Sequence, residues 1–293
     1  MIRTKRAGWA FAAGVAFVGA LLACAPGRPA ADGATTHEGT WRIGYVSATT
    51  IDFEMSYRND GHSWDSGDTI PFDATAFNGL TLADIKSADG AKHFRIVRDA
   101  GSFDCNGYFA HGVGSGVFDF TPGGAFADAL EARGVGRPSG DDEFSLAMAD
   151  VSLTMVDRLK AAGISGLDSA ALVRLAEHGV NGKYVADLKA DGVKPSSIDD
   201  LVRLRDHGVD PDFVAGLARG GYHPSVDDLV RLRDHGVTAE FAAGLARYGY
   251  HAGADDLVRL LDHGVTLDFV ARLQAHGYHP SIDDLIRLRD SGM

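Results

Sequence analysis

The residues of this 293-residue chain that could do chemistry are twelve histidines, two cysteines and a dense set of acids and arginines. Their spacing is periodic. His178, His207, His235 and His263 each precede Gly-Val, at intervals of 29, 28 and 28 residues. A metal site needs several ligands within about 2 Å of one ion. Helical units stack about 10 Å apart, so equivalent histidines cannot share an ion, and no metal or other cofactor is expected. A histidine ahead of a terminating glycine instead suits the last carbonyls and the dipole of a helix. A second series is Tyr222-His223, Tyr250-His251 and Tyr278-His279. The tyrosine is expected to pack back on the preceding helix, leaving the histidine exposed. A third series pairs Asp199 with Arg203, Asp227 with Arg231, Asp255 with Arg259 and Asp283 with Arg287. The acid stands four residues ahead of the base, the favourable order on a helix. Asp200, Asp228, Asp256 and Asp284 fall where a helix N-terminus favours negative charge. These series read first as helix support. Their outward members, Arg203, Arg231, Arg259, Arg287, His223, His251 and His279, are the candidate partner-binding surface.

No catalytic set emerges. The chain has no H-E-x-x-H, no C-x-x-C and no nucleophile elbow. Gly112–Gly116 does not match the phosphate loop G-x-x-x-x-G-K-[ST], has no helix immediately after it, and is expected to be a hairpin connection. Asp52, Asp65, Asp68 and Asp73 do not follow a calcium-loop spacing. Cys105 lies between Asp104 and Asn106, with no cation to lower its pKa, and is expected to be buried and inert. Lys plus Arg is 28 against 40 Asp plus Glu, a net charge of -12. Over 151–293 the counts are 16 and 21. That balance argues against nucleic acid as a partner.

The first 24 residues address the chain. Arg3, Lys5 and Arg6 precede an uncharged stretch, Ala7 to Ala23, which reads as a secretory signal over 1–23. It ends Leu21-Leu22-Ala23-Cys24, which resembles the lipobox of bacterial lipoproteins. The resemblance implies lipidation of Cys24 and a membrane attachment through that anchor. With Ala25 following, it implies the periplasmic face of the outer membrane. A plain secreted or periplasmic protein is the alternative. Residues 24–38 then read as the lipidated cysteine and a flexible tether, small, polar and Pro-containing.

Two kinds of patterning follow. Over 39–122, Ile51, Phe53, Met55 and Tyr57 alternate with polar residues, as do Phe94 and Ile96, Phe103 and Cys105, and Phe118 and Phe120. That period of two predicts a small antiparallel β domain of about five strands. Over 123–293 the period is 28 or 29 residues, giving units 123–151, 152–180, 181–209, 210–237, 238–265 and 266–293. Each unit predicts two short helices. Ser197, Ser225 and Ser281, each three residues before an Asp, have the form of capping boxes. Asp210-Pro211 places a cap before a first-turn proline. Eleven of the 37 glycines take one repeating position, Gly134, Gly163, Gly179, Gly192, Gly208, Gly221, Gly236, Gly249, Gly264, Gly277 and Gly292, with Asp150 in the twelfth. They are expected to stop the helices. The fold class expected is α+β: the β domain, then a C-terminal α-solenoid of six short helical hairpins.

The stretch from Pro211 to Tyr222, joined to Asp228 to Val237, resembles the helical repeats of largely uncharacterised bacterial envelope lipoproteins. It is also similar to repeats found behind BlaR-type metallopeptidase sensors. Arg98–Phe103 and Gly116–Phe120 are similar to the β-region that precedes them. The resemblance implies architecture over most of 94–293. It does not carry over protease activity, because the zinc motif is missing. The function expected is a non-catalytic exported lipoprotein whose repeats bind an envelope protein or peptide. The alternatives are an accessory of envelope-stress or antibiotic sensing, and a glycan-binding protein or hydrolase using the acidic β domain.

Overall fold

The computed structural model describes residues 37–59 and 62–292. The signal segment 1–23, Cys24 and the tether as far as residue 36 lie outside the described residues. The last two tether positions do not behave as a spacer. His37 is buried, and Glu38 opens the first strand.

The strands are β1 (Glu38–Tyr45), β2 (Thr50–Asn59), β3 (His62–Pro71), β4 (Phe77–Asn78), β5 (Gly90–Arg98), β6 (Gly101–Ala110) and β7 (Val113–Pro122), with α1 (Leu82–Ser87) between β4 and β5. They form one antiparallel sheet in the order β3-β2-β1-β7-β6-β5-β4. The sequence predicts about five strands and the sheet has seven. The β3 strand was missed because its residues are mostly polar. It is an edge strand held by backbone pairing along all of β2, and its Pro71 sits at an end where no ladder bond is lost. Register places Trp41 opposite Met55 and Ile43 opposite Phe53, all facing inward. Phe94, Ile96, Phe103, Cys105, Phe109, Phe118 and Phe120 share that buried face.

Gly112–Gly116 is not one connection. The turn is His111-Gly112, and Gly114 and Gly116 lie inside β7. Gly116 packs against β6 so closely that a Cβ there would stand 2.0 Å from the Asn106 carbonyl oxygen. The glycine run therefore serves strand approach rather than flexibility.

Twelve helices of nine residues follow: α2 (Gly124–Ala132), α3 (Gly140–Met148), α4 (Leu153–Ala161), α5 (Ser169–Glu177), α6 (Gly182–Ala190), α7 (Ile198–Asp206), α8 (Pro211–Arg219), α9 (Val226–Asp234), α10 (Ala239–Arg247), α11 (Ala254–Asp262), α12 (Leu267–Ala275) and α13 (Ile282–Asp290). All eleven predicted stop glycines have positive φ, between 68° and 87°, and Asp150 in the twelfth position has φ 55°. The next residue folds back. Val237 N–H donates to the Leu232 carbonyl at 2.9 Å, and Gly236 N–H to Arg233 at 3.0 Å. That paired arrangement satisfies carbonyls a helix end leaves free. It recurs from Val135 on Leu130 to Tyr278 on Leu273. Asp210 caps α8 with Pro211 in its first turn, as expected. The three predicted boxes at Ser197, Ser225 and Ser281 are only half boxes, whereas Ser139 and Asp142 complete one at α3. The Ser225 hydroxyl accepts from the Asp228 N–H and donates to the Asp228 carboxylate, but that carboxylate takes no bond from the cap backbone.

Each helix packs on the helix two places further along. Even-numbered helices from α2 to α12 make one row, and odd-numbered helices from α3 to α13 the other. In the even row a size match recurs. A Cβ on Gly216 of α8 would lie 2.6 Å from Ala239 Cβ of α10, and one on Gly244 would lie 2.4 Å from the Leu267 side chain of α12. At α4 and α6 the match is reversed, with Arg158 against Gly182.

The sheet and the helices share one core. Phe144 of α3 lies 5.3 Å from Phe120 of β7 and stacks on His37 at 4.3 Å. Arg98, 13% exposed at the end of β5, donates to the carbonyls of Ala147 and Met148 at the end of α3. Its neighbour Asp99 accepts from the Leu153 N–H at 2.8 Å, at the start of α4. A cation on a helix C-terminus and an anion on the next N-terminus both suit the dipoles.

The Gly216 contact gives a signed prediction. Alanine has the better helix propensity by about 1 kcal/mol, but overpacking costs about 1–3 kcal/mol, and Ala239 Cβ cannot rotate away. Gly216→Ala is therefore expected to lower stability by roughly 1 kcal/mol in urea unfolding. Adding Ala239→Gly is expected to recover most of the loss.

Candidate functional site

The structure reassigns the arginine series. Arg203, Arg231 and Arg259 do not hold the acid four residues earlier. Each reaches one unit forward, Arg203 to Asp227, Arg231 to Asp255 and Arg259 to Asp283 at 2.7 Å, and Arg174 likewise reaches Asp199 at 2.7 Å. Helices one unit apart lie side by side in the odd row, so the next first-turn carboxylate is as near as the helix's own. Arg287 has Asp284 at 3.1 Å and is 78% exposed.

The histidine series does the same. His178, His207, His235 and His263 are C-cap residues, as expected. Their Nδ1 atoms pair with Asp206, Asp234, Asp262 and Asp290 of the following unit at 2.6–3.1 Å. The rings tie units together rather than serving the dipole alone. Among the described residues no group of three or more His, Cys, Asp or Glu could hold a metal ion.

A further series was missed. Arg205 lies 5.2 Å over the Tyr184 ring, Arg233 4.9 Å over Phe213 and Arg289 5.8 Å over Phe269. Each joins the two helices of one unit. The signal was in the sequence, an arginine two residues after each of Arg203, Arg231 and Arg287, with Leu261 in the remaining place. Arg98 and Glu143 carry no repeat signal at all. Glu143 is buried, its Oε2 has no hydrogen-bond partner, and burial raises its pKa. Cys105 is buried as expected, its thiol pushed up by desolvation.

His223, His251 and His279 are all exposed. The tyrosines before them differ. Tyr222 and Tyr250 pack on the core, and Tyr250 donates its hydroxyl proton to the Pro280 carbonyl at 2.9 Å. Tyr278 is 66% exposed, because no further described unit covers it. Two of the histidines meet in a notch of about 470 Å³ between the units 210–237 and 238–265. Its floor includes Leu232, Leu257 and Ala252, and its walls Tyr222, His223, Asp228 and His251. The notch is opened by small residues. Gly220 stands where the next units have Tyr248 and His276, and Ala252-Gly253 where the neighbouring units have Pro224-Ser225 and Pro280-Ser281.

A second concavity, about 650 Å³, lies on the outward face of β3, β2, β1 and β7, lined by Glu38, Thr40, Ser56, Arg58, Asp65 and Asp119 among others. Of the scattered acids, Asp65 lines this trough. Asp52 accepts the Thr69 hydroxyl, and Asp73 accepts from Thr75, which holds its pKa down.

No family model matches the chain, and no curated protein or solved structure matches it either.

Two predictions test these ties. The Arg231 pair is exposed, so Arg231→Ala is expected to cost no more than about 1 kcal/mol. The loss should shrink when salt is raised to about 0.5 M, and urea titrations at both ionic strengths read it. Tyr184 donates to the Val209 carbonyl at 2.8 Å, and burial pushes its pKa from 10.0 to about 12. The unfolded phenol ionises first, so this contribution is intact below pH 10 and lost between pH 10 and 12. Tyr184→Phe is expected to cost about 1 kcal/mol at neutral pH and to flatten the alkaline limb of the stability–pH curve.

Proposed function

We propose that this chain is a cell-envelope lipoprotein whose helices form a scaffold for binding a protein or peptide, with no catalysis of its own. In this reading the two rows of helices are an α-solenoid of six short hairpins, with units 123–151, 152–180, 181–209, 210–237, 238–265 and 266–293. Stacked repeats create extended binding surfaces. Cys24 carries the lipid, and the protein sits at the periplasmic face of the outer membrane. Among the described residues no helix is long and apolar enough to cross a membrane.

The observation that carries the reading is the notch at His223 and His251. Two series of polar side chains in the repeats, the arginines and the C-cap histidines, tie one unit to the next. The rim of the notch keeps two exposed imidazoles over an apolar floor, the combination of apolar lining and few polar groups expected of a recognition pocket. Of the candidate surface, the notch favours His223 and His251 over Arg203, Arg231 and Arg259. A second reading, glycan recognition, rests on the polar trough of the sheet, where Glu38, Asp65, Asp119 and Arg58 converge.

Photocrosslinking separates the two. A benzophenone side chain is placed at His223, at His251 or at Thr40 in the sheet trough, in the full-length protein in cells. The scaffold reading expects one discrete protein adduct from the two notch positions and none from Thr40. Adducts confined to Thr40, or none from the notch, would refute it.

A further inference from the structure

Resting on that scaffold reading, we infer that the notch between units 210–237 and 238–265 binds a basic side chain, lysine or arginine, of an extended peptide. The argument begins with the one carboxylate inside it. Asp256 and Asp284, the equivalents of Asp228 in the next units, each hold the arginine three residues on, at 2.9 Å and 3.1 Å. The equivalent arginine of Asp228 is Arg231, and it is drawn away to Asp255. Asp228 accepts the Ser225 hydroxyl proton at 2.8 Å, and among the described residues it has no cation in ion-pair range. Its carboxylate thus faces a cavity without a counter-charge.

The rest of the lining suits a long cationic side chain. Leu232, Leu257 and Ala252 offer apolar surface for the methylene stem, and such side chains bury the stem while keeping the charge near polar groups. Tyr222 gives an aromatic wall for the head, a favourable partner for a cation. His223 and His251 offer ring nitrogens as acceptors in their neutral form. The start of α11 also borders the notch, and its dipole opposes a cation; Asp255 and Asp256 in its first turn are already paired with Arg231 and Arg259, so the attraction for a cation rests on Asp228. The unpaired Asp228 disfavours an acidic ligand. A volume of about 470 Å³ is within the range of small-ligand pockets.

The test uses the full chain, labelled with ¹⁵N, and three capped tripeptides, acetyl-Gly-X-Gly-amide, with X lysine, norleucine or glutamate. Norleucine keeps the stem and lacks the charge. Amide shifts are followed at residues 220–232 and 251–257. The lysine peptide is expected to shift these amides at least tenfold more tightly than norleucine, with the glutamate peptide silent. Asp228→Asn keeps an acceptor for Ser225 and is expected to remove the tenfold preference while leaving the melting temperature within a few degrees. A Gly253→Ser variant restores the serine of the neighbouring units at a site where a Cβ meets nothing within 4 Å. It is expected to fold normally and to bind lysine more weakly by narrowing the mouth. Equal binding of lysine and norleucine, or an Asp228→Asn protein with the lysine preference intact, overturns the inference. If crosslinking at His223 and His251 persists in Asp228→Asn, the scaffold reading stands and only the basic ligand is lost. If crosslinking fails in the wild-type protein, the scaffold reading itself falls.

Discussion

Nine residues is too short for a helix to survive alone. Such a helix is about 13–14 Å long, and isolated helices below about 12–15 residues are marginal in water. Each of the twelve must therefore bury its two to four apolar side chains on a neighbour, and the chain is cut to make that unavoidable. A residue with positive φ ends each of these twelve helices, and from α2 to α12 the residue after it is tied back to a leucine of the last turn. No helix can lengthen to gain stability by itself. Stability is consequently a property of neighbouring units, and the polar side chains follow suit. Arg203, Arg231, Arg259 and four histidines all cross from one unit to the next.

That constraint also explains how the sheet matters to the helices. Among the described residues no helix precedes the first unit in either row, and the sheet covers it instead. Phe144 enters the aromatic cluster of β7, and Arg98 with Asp99 bonds the end of α3 and the start of α4. His37 belongs to the same junction. Asp141 occupies in α3 the position that Asp199 holds in α7, where an arginine of the preceding unit arrives. In α3 the His37 ring stands in for that arginine, with Nε2 3.0 Å from the carboxylate. The β domain thus supplies both the apolar and the polar contacts that an earlier unit would have given.

Departures from the repeat are where the packing of the helices opens. Where units match, side chains find their equivalents and are consumed. Gly220, Ala252 and Gly253 break the match with small residues, a cavity opens, and Asp228 is left facing it. On the sheet, among the described residues, the outward side chains have no layer above them, and the trough lies on that face.

The helix stops and the buried face of the sheet were legible in the sequence because each is local. A glycine that needs positive φ, an Asp before a Pro, or Phe94 and Ile96 two residues apart depend only on their own turn or strand. The α+β composition follows from those. The partners of Arg203 and His207 were not legible, because a forward neighbour 24 or 27 residues away competes equally with one four residues back, and only the stacking distance decides. Strand β3 was not legible, because an edge strand is held by backbone groups that carry no residue identity. Nor were the placing of Gly114 and Gly116 inside a strand, the burial of His37, or the notch itself. Each of these is set by how closely two separate segments approach, a quantity fixed by packing and written in neither segment alone.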